Sequence, residues 1–271
     1  MPDHLKAVNS VHFIRKLNED PSESKKIQKI CNDILTILPA DIEIIEDGED
    51  IGTYRNPVLI SIGGDGTSLY GMKLSSRFGV PLVTVNLGRL GFLADIDPKK
   101  LKDLFSDMLR GDFVAEERLI LESNGHIAAN EFFIGPSESG RLLRYKIFLD
   151  GVLASKQEAD GVIISTPTGS TGYSMSAGGS IMAPGIRALQ IIPVSPHTLT
   201  SRPLVVKFNT RVSVTFEAQD TVILKSDGRK VKEFEDATNI NITSYDKPAV
   251  LLHPDGWDFY SILSEKLSWN L

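Results

Sequence analysis

Val58-Leu59-Ile60-Ser61-Ile62-Gly63-Gly64-Asp65-Gly66-Thr67 is the stretch on which the fold turns. Its first five residues form an apolar run that suits a buried strand of a parallel sheet. Three glycines within four residues let the backbone turn tightly with positive φ and approach a ligand closely. A strand that ends in such a turn and opens a helix aims bare N–H groups at an anion, which is how proteins usually hold phosphates. Asp65 is the odd member, because its charge repels a phosphate. It must serve a bound Mg²⁺ or a proton to be removed from a hydroxyl. Phosphate cradle plus acid suggests phosphoryl transfer to an alcohol. The plainer alternative is an ordinary turn with Asp65 as a helix N-cap. The motif is neither the Walker pattern, since no Lys follows the last Gly, nor G-x-G-x-x-G.

Around this loop the first hundred residues alternate helix and strand. Val11 to Leu17 is a weak first strand, interrupted by His12, Arg15 and Lys16. Asp20-Pro21 reads as N-cap and first helical residue. Ile27, Ile30, Cys31, Ile34, Leu35 and Leu38 then keep the period of an amphipathic helix. Ile42 to Ile45, Val58 to Ile62 and Leu82 to Val85 are strands, with a helix from Thr67 to about Ser76. A further helix starts at Asp97-Pro98, turns Leu101, Leu104, Phe105, Met108 and Leu109 inward, and stops at Gly111. Such alternation predicts a Rossmann-like α/β domain with a parallel sheet. Ligands bind these sheets at the carboxyl ends of strands, where Gly63–Thr67 falls.

After about Val114 the rhythm changes. Asn124-Gly125, Asp150-Gly151 and Asp227-Gly228 each lie between apolar or alternating runs, a strong hairpin signal. Arg211 to Phe216 and Ile240 to Thr243 alternate with period two, so this half reads as mostly antiparallel and sandwich-like. Phe259 to Trp269 suggests a terminal helix carrying Ile262, Leu263 and Leu267 back to the first domain. The expected divisions are 1–112, 113–252 and 253–271.

Composition narrows the partners. With 271 residues, 41% hydrophobic and 24% charged, the chain suits one large or two medium globular domains. A net charge of −6 argues against nucleic acid, which leans on dense Lys and Arg. An anionic ligand must then be held by local groups. The single Cys31 excludes an internal disulfide and falls on a helix's apolar stripe as a structural thiol. No signal peptide opens the chain and no window approaches a membrane span, so the expected setting is the cytoplasm.

A second constellation lies in the β half: Asp160-Gly161-Val162-Ile163-Ile164-Ser165-Thr166-Pro167-Thr168-Gly169-Ser170-Thr171-Gly172-Tyr173-Ser174-Met175-Ser176-Ala177-Gly178-Gly179. A strand, Val162 to Ile164, runs into a stretch of Ser, Thr and Gly that could be a plain surface loop. Its crowded hydroxyls and N–H groups equally suit recognition of a sugar or base, with Tyr173 as a stacking face.

Together these segments resemble the NAD kinases. The resemblance rests on Gly63–Thr67, on Asn86-Leu87-Gly88-Arg89-Leu90-Gly91-Phe92-Leu93, on Asn130-Glu131, on the Asp160–Gly179 stretch and on Pro196-His197-Thr198-Leu199-Thr200-Ser201-Arg202-Pro203. The glycine loop alone is shared with phosphofructokinases and with diacylglycerol and sphingosine kinases; the Ser-Thr-Pro-Thr-Gly-Ser-Thr core is more specific. The resemblance implies Asp65 as the general base toward the 2′-hydroxyl of the adenosine ribose of NAD. It implies Gly64, Gly66 and Thr67 on the phosphates of ATP or polyphosphate, bridged by Mg²⁺. Phe92 would pack near the adenine, and Asn130 and Glu131 would contact the dinucleotide. Asp160, Thr168, Thr171, Gly172, Tyr173 and Ser176 would line its pocket. It also implies a homodimer or homotetramer, with Asp160 where subunits meet. The implied activity is NAD kinase; a lipid kinase and a non-catalytic nucleotide-binding regulator are the alternatives.

Several positions depart from the family pattern. Gly172 stands where Ala is usual. Glu158 stands where many relatives carry a basic residue, for which Arg141 or Arg144 would substitute in holding an anion. His197, between Pro196 and Thr198, reads as a structural hydrogen-bonding residue, and Asp227 as a hairpin turn residue first.

Overall fold

The computed structural model describes residues 8–15, 21–38, 42–45, 49–87, 91–93, 96–101, 103, 107, 112–138, 142–216, 221–235 and 239–269. The chain divides into two compact units, 1–117 with 248–271, and 118–247. The sequence pattern had put these divisions at 112/113 and 252/253.

The first unit opens with β1 (Ser10–Arg15), α1 (Pro21–Ile37), β2 (Glu43–Ile45), β3 (Pro57–Gly63), α2 (Asp65–Phe78), β4 (Leu82–Asn86) and β5 (Val114–Arg118). The opening strand that looked weak is fully engaged, pairing in parallel with β2 on one side and β3 on the other. His12 does not break it, because its buried ring meets the Ile45 carbonyl at 2.9 Å through Nδ1. Along α1, Ile27, Ile30, Cys31 and Ile34 enter the core as expected. Leu35 does not; it lies one step further round the helix and is 43% exposed. Helix α2 is longer than predicted at both ends and stops where Gly79 adopts a left-handed φ of 68°. Asp97 caps the turn Pro98–Lys100 and Leu101 is buried. Leu104, Phe105, Met108, Leu109 and Gly111, like Asp20, Lys16 and Leu17, lie outside the described residues.

The second unit contains β6 (Leu121–Ser123), β7 (His126–Ala128), β8 (Glu131–Pro136), β9 (Leu143–Leu149), β10 (Val152–Ala159), β11 (Gly161–Ser165), α3 (Tyr173–Ser176), β12 (Ala188–Val194), β13 (Leu204–Lys207), β14 (Val212–Phe216), β15 (Val222–Ser226), β16 (Arg229–Phe234) and β17 (Ile240–Ser244). They form two six-stranded sheets, ordered β10-β9-β14-β17-β6-β7 and β13-β12-β11-β8-β15-β16. A single core joins them, with Tyr145, Ile147, Val212 and Val214 from one sheet against Phe132, Ile134, Val162 and Leu189 from the other. All three Asx-Gly pairs are two-residue hairpin loops with both φ values positive: 52° and 78°, 49° and 84°, 47° and 77°. That is the mirror-image turn matching the natural twist of the strands.

The chain then returns to the first unit with β18 (Ala249–His253), to which the sequence pattern assigned no element, and α4 (Phe259–Leu267). The first sheet is thus ordered β2-β1-β3-β4-β18-β5, with Leu251 of β18 beside Leu82 of β4 in parallel. Ile262 and Leu263 of α4 are buried, as their spacing predicted.

Candidate active site

In the first unit the site is built at the carboxyl end of β3. Gly63 closes that strand, and a Cβ there would lie 2.3 Å from Thr67 Oγ1, so the tight packing of the helix start excludes any side chain. Gly64 and Gly66 are different. Both are exposed, and a Cβ on either would meet no atom of the protein within 4 Å. None of the three has positive φ; Gly64 is extended, at φ −99° and ψ −172°. The expected left-handed turn is therefore absent, and these glycines matter through small size. At 64 and 66 the bare surface faces outward, where a ligand can come against the backbone.

Asp65 is the first residue of α2, and the cap position belongs to Gly64, which offers no side chain. The N-cap alternative for Asp65 therefore fails. Its half-buried carboxylate reaches instead to a distant loop: Oδ2 accepts the Phe92 N–H at 3.2 Å and Oδ1 accepts the Leu93 N–H at 3.1 Å. Two amides fix the plane of the carboxylate. Thr67 and Ser68 donate their N–H groups back to the Gly64 carbonyl, whereas the amides ahead of them at a helix start have no intrahelical partner and suit an anion. Leu93 is core and Phe92 is half-buried. Gly88, Arg89 and Leu90 of the same motif lie outside the described residues.

In the second unit the hydroxyl-rich stretch is not a loop but two short helical turns, Thr168–Thr171 and α3. Its hydroxyls sort into two sets. Ser165, Thr166, Ser170 and Ser174 are fully buried and bonded internally. Thr166 Oγ1 donates to the Ala129 carbonyl at 2.6 Å and accepts the Gly169 N–H at 3.1 Å. Ser170 Oγ donates to the Pro167 carbonyl and accepts the Met182 N–H, and Ser174 Oγ meets the Gln190 amide. Thr168 is also buried, its Oγ1 taking a bond from Arg118 at 3.4 Å. Thr171, Tyr173 and Ser176 are less buried, Tyr173 being 45% exposed with its ring tilted against Phe133.

Asn130 and Glu131 stand where β8 begins, directly under these turns. A Cβ on Gly169 would lie 2.2 Å from the Asn130 carbonyl oxygen, so the turn rests on that backbone with no room for a methyl. A Cβ on Gly172 would be 3.2 Å from Asn130 Nδ2 and 3.3 Å from the Gly169 carbonyl. The departure from Ala at 172 thus removes a crowded contact and loosens the neighbourhood of Asn130. The Asn130 Oδ1 is buried and accepts no hydrogen bond within the protein. Asp160 is exposed at the start of β11, with its N–H on the Val194 carbonyl.

Other expectations meet a mixed outcome. Arg141 lies outside the described residues. Arg144 pairs across β9 and β10 with Glu158, Nε to Oε1 at 3.0 Å, so the acidic substitution at 158 is neutralised within the sheet. The ring of His197 is exposed; its backbone N–H, not its ring, makes the hydrogen bond, to Glu158. One residue was missed, and a second was read as a turn residue first. Arg118 is 2% exposed and supports Thr168, and no sequence signal links the two. Asp227 turns its carboxylate onto the backbone of Ala129, Asn130 and Glu131, although its hairpin role concealed this.

Comparison with known proteins agrees with these two halves. The ATP-NAD kinase N-terminal domain matches residues 9–113 and the ATP-NAD kinase C-terminal domain matches 129–253. A NAD kinase of Thiobacillus denitrificans is 37% identical over 232 residues, covering 82% of this chain and 79% of that protein. One from a Marinomonas species is 32% identical over 269 residues, covering 95% and 91%. Among solved structures, a yeast NADH kinase complexed with NADH aligns with a TM-score of 0.82 at 23% identity, over 97% of this chain and 88% of that one. A NAD kinase from Archaeoglobus fulgidus in complex with ATP aligns with a TM-score of 0.75 at 22% identity, over 97% and 100%. At those identities the two structures show a shared fold. The two domain matches and the relatives above 30% identity do more: this chain belongs to the NAD kinase family.

Proposed function

We propose that this chain is a NAD kinase in which Asp65 takes the proton from the 2′-hydroxyl of the adenosine ribose while a phosphoryl group arrives from ATP or polyphosphate, giving NADP. One observation carries the assignment. The Asp65 carboxylate is held in a fixed plane by the Phe92 and Leu93 amides, beside two glycines whose outward faces meet no protein atom. A positioned carboxylate is what a hydroxyl nucleophile requires, and general-base assistance is typically worth about 10²–10⁴ in rate. The Gly64, Gly66 and Thr67 segment and the start of α2 hold donor phosphates.

On the acceptor side, Asn130 stands at the start of β8 as a dinucleotide contact, and Tyr173 offers a ring face for stacking. Glu131, Asp160, Thr171, Gly172, Ser176 and Phe92 complete this reading, and Arg141 remains its anion contact. Thr168, buried against Arg118, acts by shaping the turn. Among the described residues no three His, Cys, Asp or Glu side chains gather as a metal site. Mg²⁺, which takes few protein carboxylates plus substrate phosphates, fits as a companion of the donor. When bound, it offsets the phosphate charge that Asp65 would otherwise repel. A homodimer or homotetramer in the cytoplasm, completed at Asp160, belongs to the same proposal. No helix of the described residues is long and apolar enough to cross a membrane, and no observation favours the lipid-kinase alternative.

The test is direct. Purified protein is incubated with NAD, donor and Mg²⁺, and NADP is read with an NADP-specific dehydrogenase. Asp65→Asn keeps the size of the side chain but gives up one of its two amide bonds, so a melting curve accompanies it; kcat should fall by at least about 10²-fold. Activity within a few fold of the parent would remove Asp65 from the role of base.

A further inference from the structure

Three consecutive residues, Ala129, Asn130 and Glu131, have every backbone polar group bonded, and the Asp227 hairpin and the Ser165–Thr166 segment supply the partners. The three N–H groups point to one carboxylate: Asp227 Oδ2 accepts from Ala129 at 3.2 Å, and Oδ1 accepts from Asn130 at 2.8 Å and from Glu131 at 3.2 Å. The Asp227 N–H returns a bond to the Glu131 carbonyl at 3.0 Å. On the opposite side, the Ala129 carbonyl accepts from Thr166 Oγ1, and the Asn130 carbonyl accepts from the Thr166 N–H. Even the residue before the carboxylate joins in, since Ser226 Oγ donates to the Ile127 carbonyl at 2.7 Å.

A hairpin tip needs none of this. Asp, Asn and Gly all serve at the left-handed first position of such a turn, where Asp227 has a φ of 47°. An ionised carboxylate gathering three amides from a segment almost a hundred residues earlier in the chain is a device of another kind, and charge-assisted bonds are the strong ones. Its grip falls on the two residues assigned to the dinucleotide. We propose that Asp227 is a positioning residue for NAD: its charge sets the backbone of Asn130 and Glu131 so that their side chains are presented in one orientation. The proposal rests on the placing of Asn130 and Glu131 at the dinucleotide.

The Asp227→Asn variant keeps the left-handed turn and the side-chain volume, but it turns an NH₂ toward the Ala129 N–H and removes the charge. Steady-state kinetics on the whole protein would compare it with Asn130→Ala, following KM for NAD, KM for ATP, kcat and the melting temperature. We expect both variants to raise KM for NAD by about tenfold while leaving KM for ATP within about twofold. A merely structural aspartate would lower melting temperature and the active fraction without moving KM for NAD. A KM for NAD within about twofold of the parent in D227N overturns the proposal. If N130A is impaired in that case, the dinucleotide assignment survives and only the positioning role falls; if N130A is unaffected too, the assignment of Asn130 falls with it. Should D227N not fold, Asp227→Gly, which adopts the same turn without strain, carries the same test with the same criteria.

Discussion

Thr166→Val tests whether the hydroxyls of the Ser/Thr stretch are divided into a structural set and a ligand-facing set. The replacement keeps the branched shape and removes one oxygen. That oxygen is fully buried, donates to the Ala129 carbonyl at 2.6 Å and accepts the Gly169 N–H at 3.1 Å. Valine can do neither, so two buried backbone groups lose this partner. Each such loss costs about 1–3 kcal/mol, and the two together about 4 kcal/mol. For a protein of this size that corresponds to a fall in melting temperature of about 10 °C. The control is Thr171→Val, whose half-buried hydroxyl makes one longer bond, 3.3 Å to the Thr168 carbonyl. Its melting temperature should stay within about 2 °C of the parent while KM for NAD rises. Differential scanning fluorimetry and NADP formation read both. A fall of less than about 3 °C in T166V, or an equal fall in T171V, would refute the division.

Two neighbouring glycines should respond in opposite ways. Gly63→Ala forces a methyl against Thr67 Oγ1 and should lower the melting temperature by the equivalent of about 1–3 kcal/mol, whereas Gly64→Ala meets nothing in the protein and should melt as the parent does while KM for ATP rises about tenfold. Equal melting of the two variants would contradict the geometry. At α4, the Asp258 carboxyl is held below its ordinary range by the Ser261 hydroxyl first and then by the Ser261 and Tyr260 amides. A depressed value adds stability above the ordinary pKa of about 3.9 and loses it as pH falls through the folded value. The melting difference between parent and Asp258→Ala should therefore be full at pH 7 and close below about pH 4, as thermal melts across that range would show.

What could be read in the chain beforehand was local chemistry. Asn124-Gly125, Asp150-Gly151 and Asp227-Gly228 announce hairpins because few other pairs tolerate two positive φ values in succession. The apolar run Val58 to Ile62 announces a buried strand for an equally local reason. The Ser165–Ser176 stretch misled because Ser, Thr and Gly favour loops by propensity. Tertiary hydrogen bonds from Ala129, Met182 and Gln190 override that preference and fold it into helical turns. Asp65 was conspicuous by its place among glycines, but its anchor at Phe92 and Leu93 is non-local and left no trace. Asp227 was visible for its turn and invisible for its grip on Asn130, since a single sequence carries no record of which distant amides a carboxylate meets. Ala249–His253 is short and apolar, and its assignment to a strand depends on the edge of β4 that it joins.

That last pairing has a consequence for biosynthesis. Leu82 meets Leu251, and the entire stretch 118–247 is translated between the two partners. At about 5–20 residues per second the ribosome leaves the Leu82 end of β4, beyond the bridge that Val85 makes with Ile96, without its partner strand for on the order of ten seconds. A buried strand whose flank is only partly paired is a template for the wrong neighbour. The second unit, whose partners are all encoded within it, can settle first. The nascent N-terminal sheet is the form of this protein that a chaperone would meet, and a message truncated before residue 249 would yield a chain that never closes that edge.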